Sequence, residues 1–143
     1  MEQKTPSVHL TLRDDPAPTR ALRAALDEIG ARFGLADDEL FELKVAATEA
    51  LTNAIKGSVT GRPVCVAVEP GTEAIEVEVR NHGAFELGEP TLDDVDSESG
   101  RGIALMFALV DEVEFASTGD GTRVRIRKRL GRAFRAGPRP RLA

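Results

Sequence analysis

One cysteine occurs in the 143 residues, Cys65. A lone cysteine excludes an intramolecular disulfide and leaves no cysteine-based metal cluster to assemble. Within "PVCVAVE" it reads as a small buried hydrophobe. Histidine is nearly as scarce: His9 falls in a strand-like segment and His82 in a turn, too little for a histidine metal site or a catalytic triad. No apolar run approaches the length needed to cross a bilayer. The first residues, "MEQKTPSVHLTL", lack the basic-then-apolar pattern of a secretory leader. A cytoplasmic protein with no membrane partner is therefore expected. Positive charge is also in short supply. The formal net charge is −5, which argues against direct nucleic-acid binding, because phosphate contacts need a basic surface. Of the late basic residues, Arg123, Arg125, Arg127, Lys128 and Arg129 belong to a strand and its end. The others lie in 131–143, "GRAFRAGPRPRLA", a basic tail that buries little and is expected to be disordered.

What is present fits one globular domain over residues 1–130, with 41% hydrophobic and 30% charged residues. "VHLTL" (8–12) alternates as an edge strand does. Leu22, Ala25, Leu26, Ile29 and Phe33 recur at helical spacing, which predicts a helix over 20–33 with Thr19 as its N-cap and Gly34 at its left-handed end. Asp37 or Asp38 opens a second helix that runs to Lys56, where "GSVTGRP" stops it. Strands 63–69 and 74–80 form a hairpin around "PGTE". Residues 81–100 are acidic and rich in turn formers, as a functional loop or lid would be. A helix over 101–112 and a hairpin of strands 113–117 and 122–130 follow. This order predicts an α/β two-layer sandwich, a mixed and mostly antiparallel sheet with helices on one face.

On a helical wheel, Leu43, Ala47, Ala50, Leu51 and Ala54 form the stripe that packs on the sheet. Glu42, Glu49, Asn53 and Lys56 form a second stripe, and Glu49 and Asn53 are i,i+4 neighbours. That pair fits a solvated polar face. It also fits a carboxylate and an amide oxygen set among small residues (Ala46, Ala50, Gly57), hard ligands suited to Mg²⁺ or to an activated proton. Gly83, after the strand 74–80, permits a close approach of backbone or ligand. "SGRGI" (99–103) places glycines and Arg101 at a helix start, where free N–H groups and the macrodipole favour an anion. "GDGTRV" (119–124) is by itself a hairpin turn.

Taken in order, "ELKVAATEALTNAI", "VEVRNHG", "SGRGIALM" and "GDGTRVRI" resemble the N box and the three glycine boxes of the GHKL (Bergerat-fold) ATPases. Within them the chain is most similar to the anti-sigma-factor serine/threonine kinases of bacterial partner-switching systems, over roughly residues 8–130. The resemblance implies the Bergerat fold, ATP and Mg²⁺ as cofactors, a role in transcription regulation under stress, and assembly as a homodimer. It implies two partners, a sigma factor that is sequestered and a STAS-type anti-sigma-factor antagonist that is phosphorylated. By position, Glu49 would be the general base for the attacking hydroxyl, and Asn53 would hold Mg²⁺. Asn81, Gly83 and Thr122 would form the adenine pocket. Gly100, Arg101, Gly102 and Ile103 would meet the phosphates, with residues 86–99 as the ATP lid. Arg23 falls where relatives contact the sigma factor and the antagonist. Three departures stand out. Asn81 replaces an aspartate, Phe85 a second glycine, and Gly57-Ser58 follows Lys56 where a His-Gly pair is usual. On the resemblance, Asn81→Asp should tighten ATP binding. A second reading is a catalytically degenerate binding module of the same fold that regulates by partner exchange, with weak or no ATP binding.

Overall fold

The computed structural model describes residues 8–12, 18–59, 61–83 and 98–131. The elements are β1 (Val8–Leu12), α1 (Pro18–Phe33), α2 (Asp37–Gly57), β2 (Val64–Pro70), β3 (Ala74–Asn81), α3 (Glu98–Leu109), β4 (Glu112–Ser117) and β5 (Thr122–Arg129). They build one five-stranded sheet in the order β1-β2-β3-β5-β4. Every described pairing is antiparallel, so the mixed character expected from the sequence is absent from these strands.

The helices pack on one face, as the α/β sandwich requires. Strand alternation explains why. In β3, Ile75, Val77 and Val79 point inward and are buried, while Glu76, Glu78 and Arg80 point outward. Their register partners repeat the division, with Val66 and Val68 on β2 and Val124 and Ile126 on β5 facing in. Leu43, Ala47, Ala50, Leu51 and Ala54 of α2 lie on that layer, each fully buried. Leu22 and Leu26 do the same from α1, and Met106 from α3.

Helix boundaries differ from expectation in instructive ways. α1 starts at Pro18, so Thr19 lies inside the helix and is not its cap. Proline at a helix start needs no N–H partner and arrives with φ already helical. Gly34 does take the left-handed conformation, with φ 69°, and the N–H of Leu35 returns to the carbonyl of Gly30 at 3.0 Å. The cap of α2 is Ala36, which has no side-chain acceptor. Only the Glu39 half of a capping box is made, its Oε1 accepting from Ala36 N at 3.4 Å. β3 runs one residue further than expected, so Asn81 ends a strand and does not open a turn. α3 runs from Glu98 to Leu109 where 101–112 was expected, which puts Gly100 inside the helix and not before it.

Candidate functional site

α2 carries both candidate residues of the N-box segment, one turn apart and in different surroundings. Glu49 is half-buried and lines an open groove of about 300 Å³ together with Arg23, Phe41, Lys44, Val45 and Thr48. Phe41 is 63% exposed there, unusual for a phenylalanine on a helix that also builds the core. The Lys44 ammonium donates to Asp27 Oδ1 at 2.7 Å and ties α2 to α1 along the same groove. Arg23 and Glu49, expected to serve partner contact and catalysis, therefore share one surface feature. Asn53 is 2% exposed, and its Nδ2 has no hydrogen-bond partner. Thr48 Oγ1 and Ser58 Oγ are likewise buried and unpartnered. A buried polar group left unmatched costs about 1–3 kcal/mol, so three on or next to one helix mark a place where folding alone does not set the residue choice.

The far end of α2 meets the ends of β3 and β5. Asn81 continues the inward row of β3 and is 3% exposed. Its Nδ2 donates to the carbonyl of Ala54 at 3.1 Å, and its Oδ1 accepts from the N–H of Thr122 at 3.2 Å. The Thr122 hydroxyl donates to the carbonyl of Gly83 at 2.9 Å. Ser58 and Gly83 form an isolated antiparallel bridge, and Val59 N donates to His82 O at 3.0 Å. A Cβ on Gly83 would collide with the carbonyl oxygen of Gly57, and one on Gly121 with that of Asn81. Both glycines are present because backbone passes where a side chain would be. The structure thus brings Asn53, Asn81, Gly83 and Thr122 to one end of the helix layer.

Gly100 and Arg101 lie in the first turn of α3, whose N–H groups have no partner inside the helix, and Gly102 and Ile103 follow. Lys128 fixes where α3 ends: its ammonium donates to Glu42 Oε1 at 2.6 Å and to the carbonyl of Leu109 at 2.9 Å. From there back to its start at Glu98, α3 is 12 residues long, about 18 Å at 1.5 Å per residue. Of the lid expected over 86–99, residues 86–97 lie outside the described residues, as does Phe85.

Sequence reasoning passed over Phe41 and Lys44 as groove residues, although the signal was there. Phe41, Val45, Thr48, Thr52 and Ile55 recur at helical spacing on the side of α2 away from the core stripe. The Ala54 carbonyl as a partner of Asn81 had no such signal, since backbone acceptors leave no trace in sequence. Among the described residues no group of three or more His, Cys, Asp or Glu side chains could hold a metal ion. No helix among them is long and apolar enough to cross a membrane.

Comparison with known proteins gives the same family by an independent route. The profile described as "Histidine kinase-like ATPase domain" matches residues 12–128. "Serine-protein kinase RsbW" of Bacillus pumilus (strain SAFR-032) is 26% identical over 148 residues, covering 92% of this chain and 91% of the relative. "Serine-protein kinase RsbW" of Bacillus subtilis (strain 168) is 27% identical over 127 residues, 79% of each chain. A crystal structure of the RsbU and RsbW domains of a Mycobacterium tuberculosis protein superposes with a TM-score of 0.64 at 24% identity. It aligns to 88% of this chain, which spans only 33% of that longer one, and shows the likeness of fold.

Proposed function

Because this chain belongs to the histidine kinase-like ATPase domain family, we propose that it is an ATP-dependent serine/threonine-protein kinase and anti-sigma factor. In this reading it sequesters a sigma factor and phosphorylates a STAS-type antagonist. The relatives named serine-protein kinase, matched over most of their length, support the class of reaction. The observation that carries the reading is the placement on α2: Glu49 faces an open groove, and the buried carboxamide of Asn53, its Nδ2 unpartnered, lies one turn further on.

Glu49 takes the proton of a serine or threonine hydroxyl brought into the groove. That oxygen forms the new bond to the terminal phosphorus while the bond to the bridging oxygen breaks, and ADP leaves. The protein supplies position and charge and no covalent intermediate of its own. Asn81, Thr122 and Gly83 wall the base pocket, and the first turn of α3, with Gly100 and Arg101, faces the phosphates ahead of Gly102 and Ile103. The donor set fits magnesium bound with a nucleotide: such an ion keeps waters and phosphate oxygens and needs only one or two protein oxygens, here that of Asn53. Bound there, it would neutralise phosphate charge. Arg23, on the rim of the groove, contacts the partner protein, and two copies pair as a homodimer.

Calorimetry with Mg-ATP and Mg-ADP tests this directly. Submillimolar affinity, with phosphate transfer to the antagonist that Glu49→Gln abolishes, is the expected result. Absence of nucleotide heat in the parent protein, or transfer undiminished in Glu49→Gln, would refute the kinase reading.

A further inference from the structure

Asn81 is the most buried polar side chain on the sheet, and both ends of its carboxamide meet backbone groups of fixed polarity. The carbonyl of Ala54 can only accept, so it must face Nδ2, at 3.1 Å. The N–H of Thr122 can only donate, so it must face Oδ1, at 3.2 Å. Between them these bonds join the last turns of α2, the end of β3 and the start of β5. Ala54 directly follows Asn53 on the helix, and Thr122 is held a second time through its hydroxyl on Gly83. Gly121 passes so close to the Asn81 carbonyl that a side chain there has no space. The strut therefore sits in a region without slack.

We propose that Asn81 is a positioning residue. Its amide sets the height of the α2 turn carrying Asn53 above the start of β5, and the site requires a group that donates at one end and accepts at the other. An ionised carboxylate accepts at both ends. In place of Asn81 it would set a negatively charged oxygen against the carbonyl oxygen of Ala54, inside a buried site. Asn81→Asp is therefore expected to loosen the nucleotide site, the reverse of what family resemblance alone predicts.

A protonated carboxyl, unlike a carboxylate, reproduces the amide: its hydroxyl donates to Ala54 and its carbonyl accepts from Thr122. This gives Asn81→Asp a pH signature that loss of packing alone would not have. Burial raises the pKa of the introduced carboxyl in the same direction, so amide-proton exchange is what separates the strut from burial. The strut favours the protonated form, so the folded-state pKa of the introduced carboxyl lies above its unfolded value of about 3.9. Stability is then retained at low pH and lost as pH rises through that raised pKa. Melting temperatures of parent and variant, compared at each pH from about 4.5 to 8, remove the shared contributions of Lys56, Arg62, His82 and Asp120 around this end of the sheet. The expected deficit is small at the acid end and on the order of 10 °C at pH 8. A deficit that stays constant with pH, or shrinks as pH rises, overturns the proposal.

A second measurement needs no variant and decides the matter if Asn81→Asp fails to fold. The side-chain amide protons of Asn81 in the parent protein should exchange with solvent at least roughly tenfold more slowly than a free carboxamide; exchange at the free rate overturns the strut. The functional consequence rests on the proposed kinase reading: Mg-ATP affinity of the variant should fall with rising pH in step with its stability deficit. If the parent binds no nucleotide, the kinase reading fails, while amide protection and the pH course still judge the strut.

Discussion

The two faces of the sheet use their polar groups in opposite ways. On the outer face, β3, β4 and β5 place glutamates and arginines side by side in register. Arg125 lies 4.0 Å from Glu76 and 3.4 Å from Glu114; Arg127 lies 3.8 Å from Glu76 and 3.9 Å from Glu112. Arg123 reaches Glu78 at 3.5 Å, and Arg129 reaches Glu112 at 3.7 Å. Those charges answer one another and lie open to water. On the helix side of the sheet few polar side chains are buried, and part of what they offer goes unanswered: Asn53 Nδ2 has no partner, nor do Thr48 Oγ1 on the groove side of α2 and Ser58 Oγ just past its end. A solvated charge can be spent on solubility and register at little cost. A buried amide unmatched by protein works against folding unless an ordered water or a ligand meets it.

The sharpest way to break this contrast is at Glu49, the half-buried carboxylate between the two regimes. Removing a general base costs about 10²–10⁴-fold in rate. Glu49→Gln should show that loss in phosphate transfer to the antagonist while its melting temperature stays within a few degrees of the parent. A variant that instead lost stability and kept its transfer rate would place Glu49 in the scaffold and not in the site.

Next in size is the interior face of α2 itself. Leu51 is fully buried, and Leu51→Ala should cost about 2–5 kcal/mol, read from denaturant unfolding. Asn53→Ala, two residues along the same helix, should behave in the opposite sense. It removes a buried donor with no partner, so stability should hold or rise by about 1 kcal/mol, while Mg-ATP affinity falls. Loss of both together would mean that Asn53 is matched inside the fold.

That contrast also marks how far the sequence could be read. Alternation in β2, β3 and β5 and the core stripe of α2 predicted the sandwich, because each strand or helix shows its buried face within a few residues. The ends of elements were harder. Gly100 read as lying just before a helix that starts at 101, yet α3 starts at Glu98 and carries it inside, and Thr19 read as a cap although Pro18 already begins α1. Glu49 and Asn53 were legible as a pair from their spacing and from family resemblance. What each one faces was not: one lies on a groove shared with Arg23, the other is enclosed. The partners of Asn81 lie 27 and 41 residues away and are both backbone, which no side-chain pattern records.

The smallest effect belongs to the outer face, and its smallness is informative. Arg125 is about two-fifths exposed and touches glutamates on both neighbouring strands. Exposed pairs of this kind contribute about 0.2–1 kcal/mol, and salt screens them. Arg125→Gln should therefore lower stability by less than about 1 kcal/mol in dilute buffer. The difference should shrink further near 1 M NaCl, where the screening length is only about 3 Å. Nucleotide affinity should not change, because the side chain lies across the sheet from α2. A larger and salt-insensitive loss would mean that the ladder is covered by protein in solution, and the outer face would then count as an interface and not as the solvent side of the sheet.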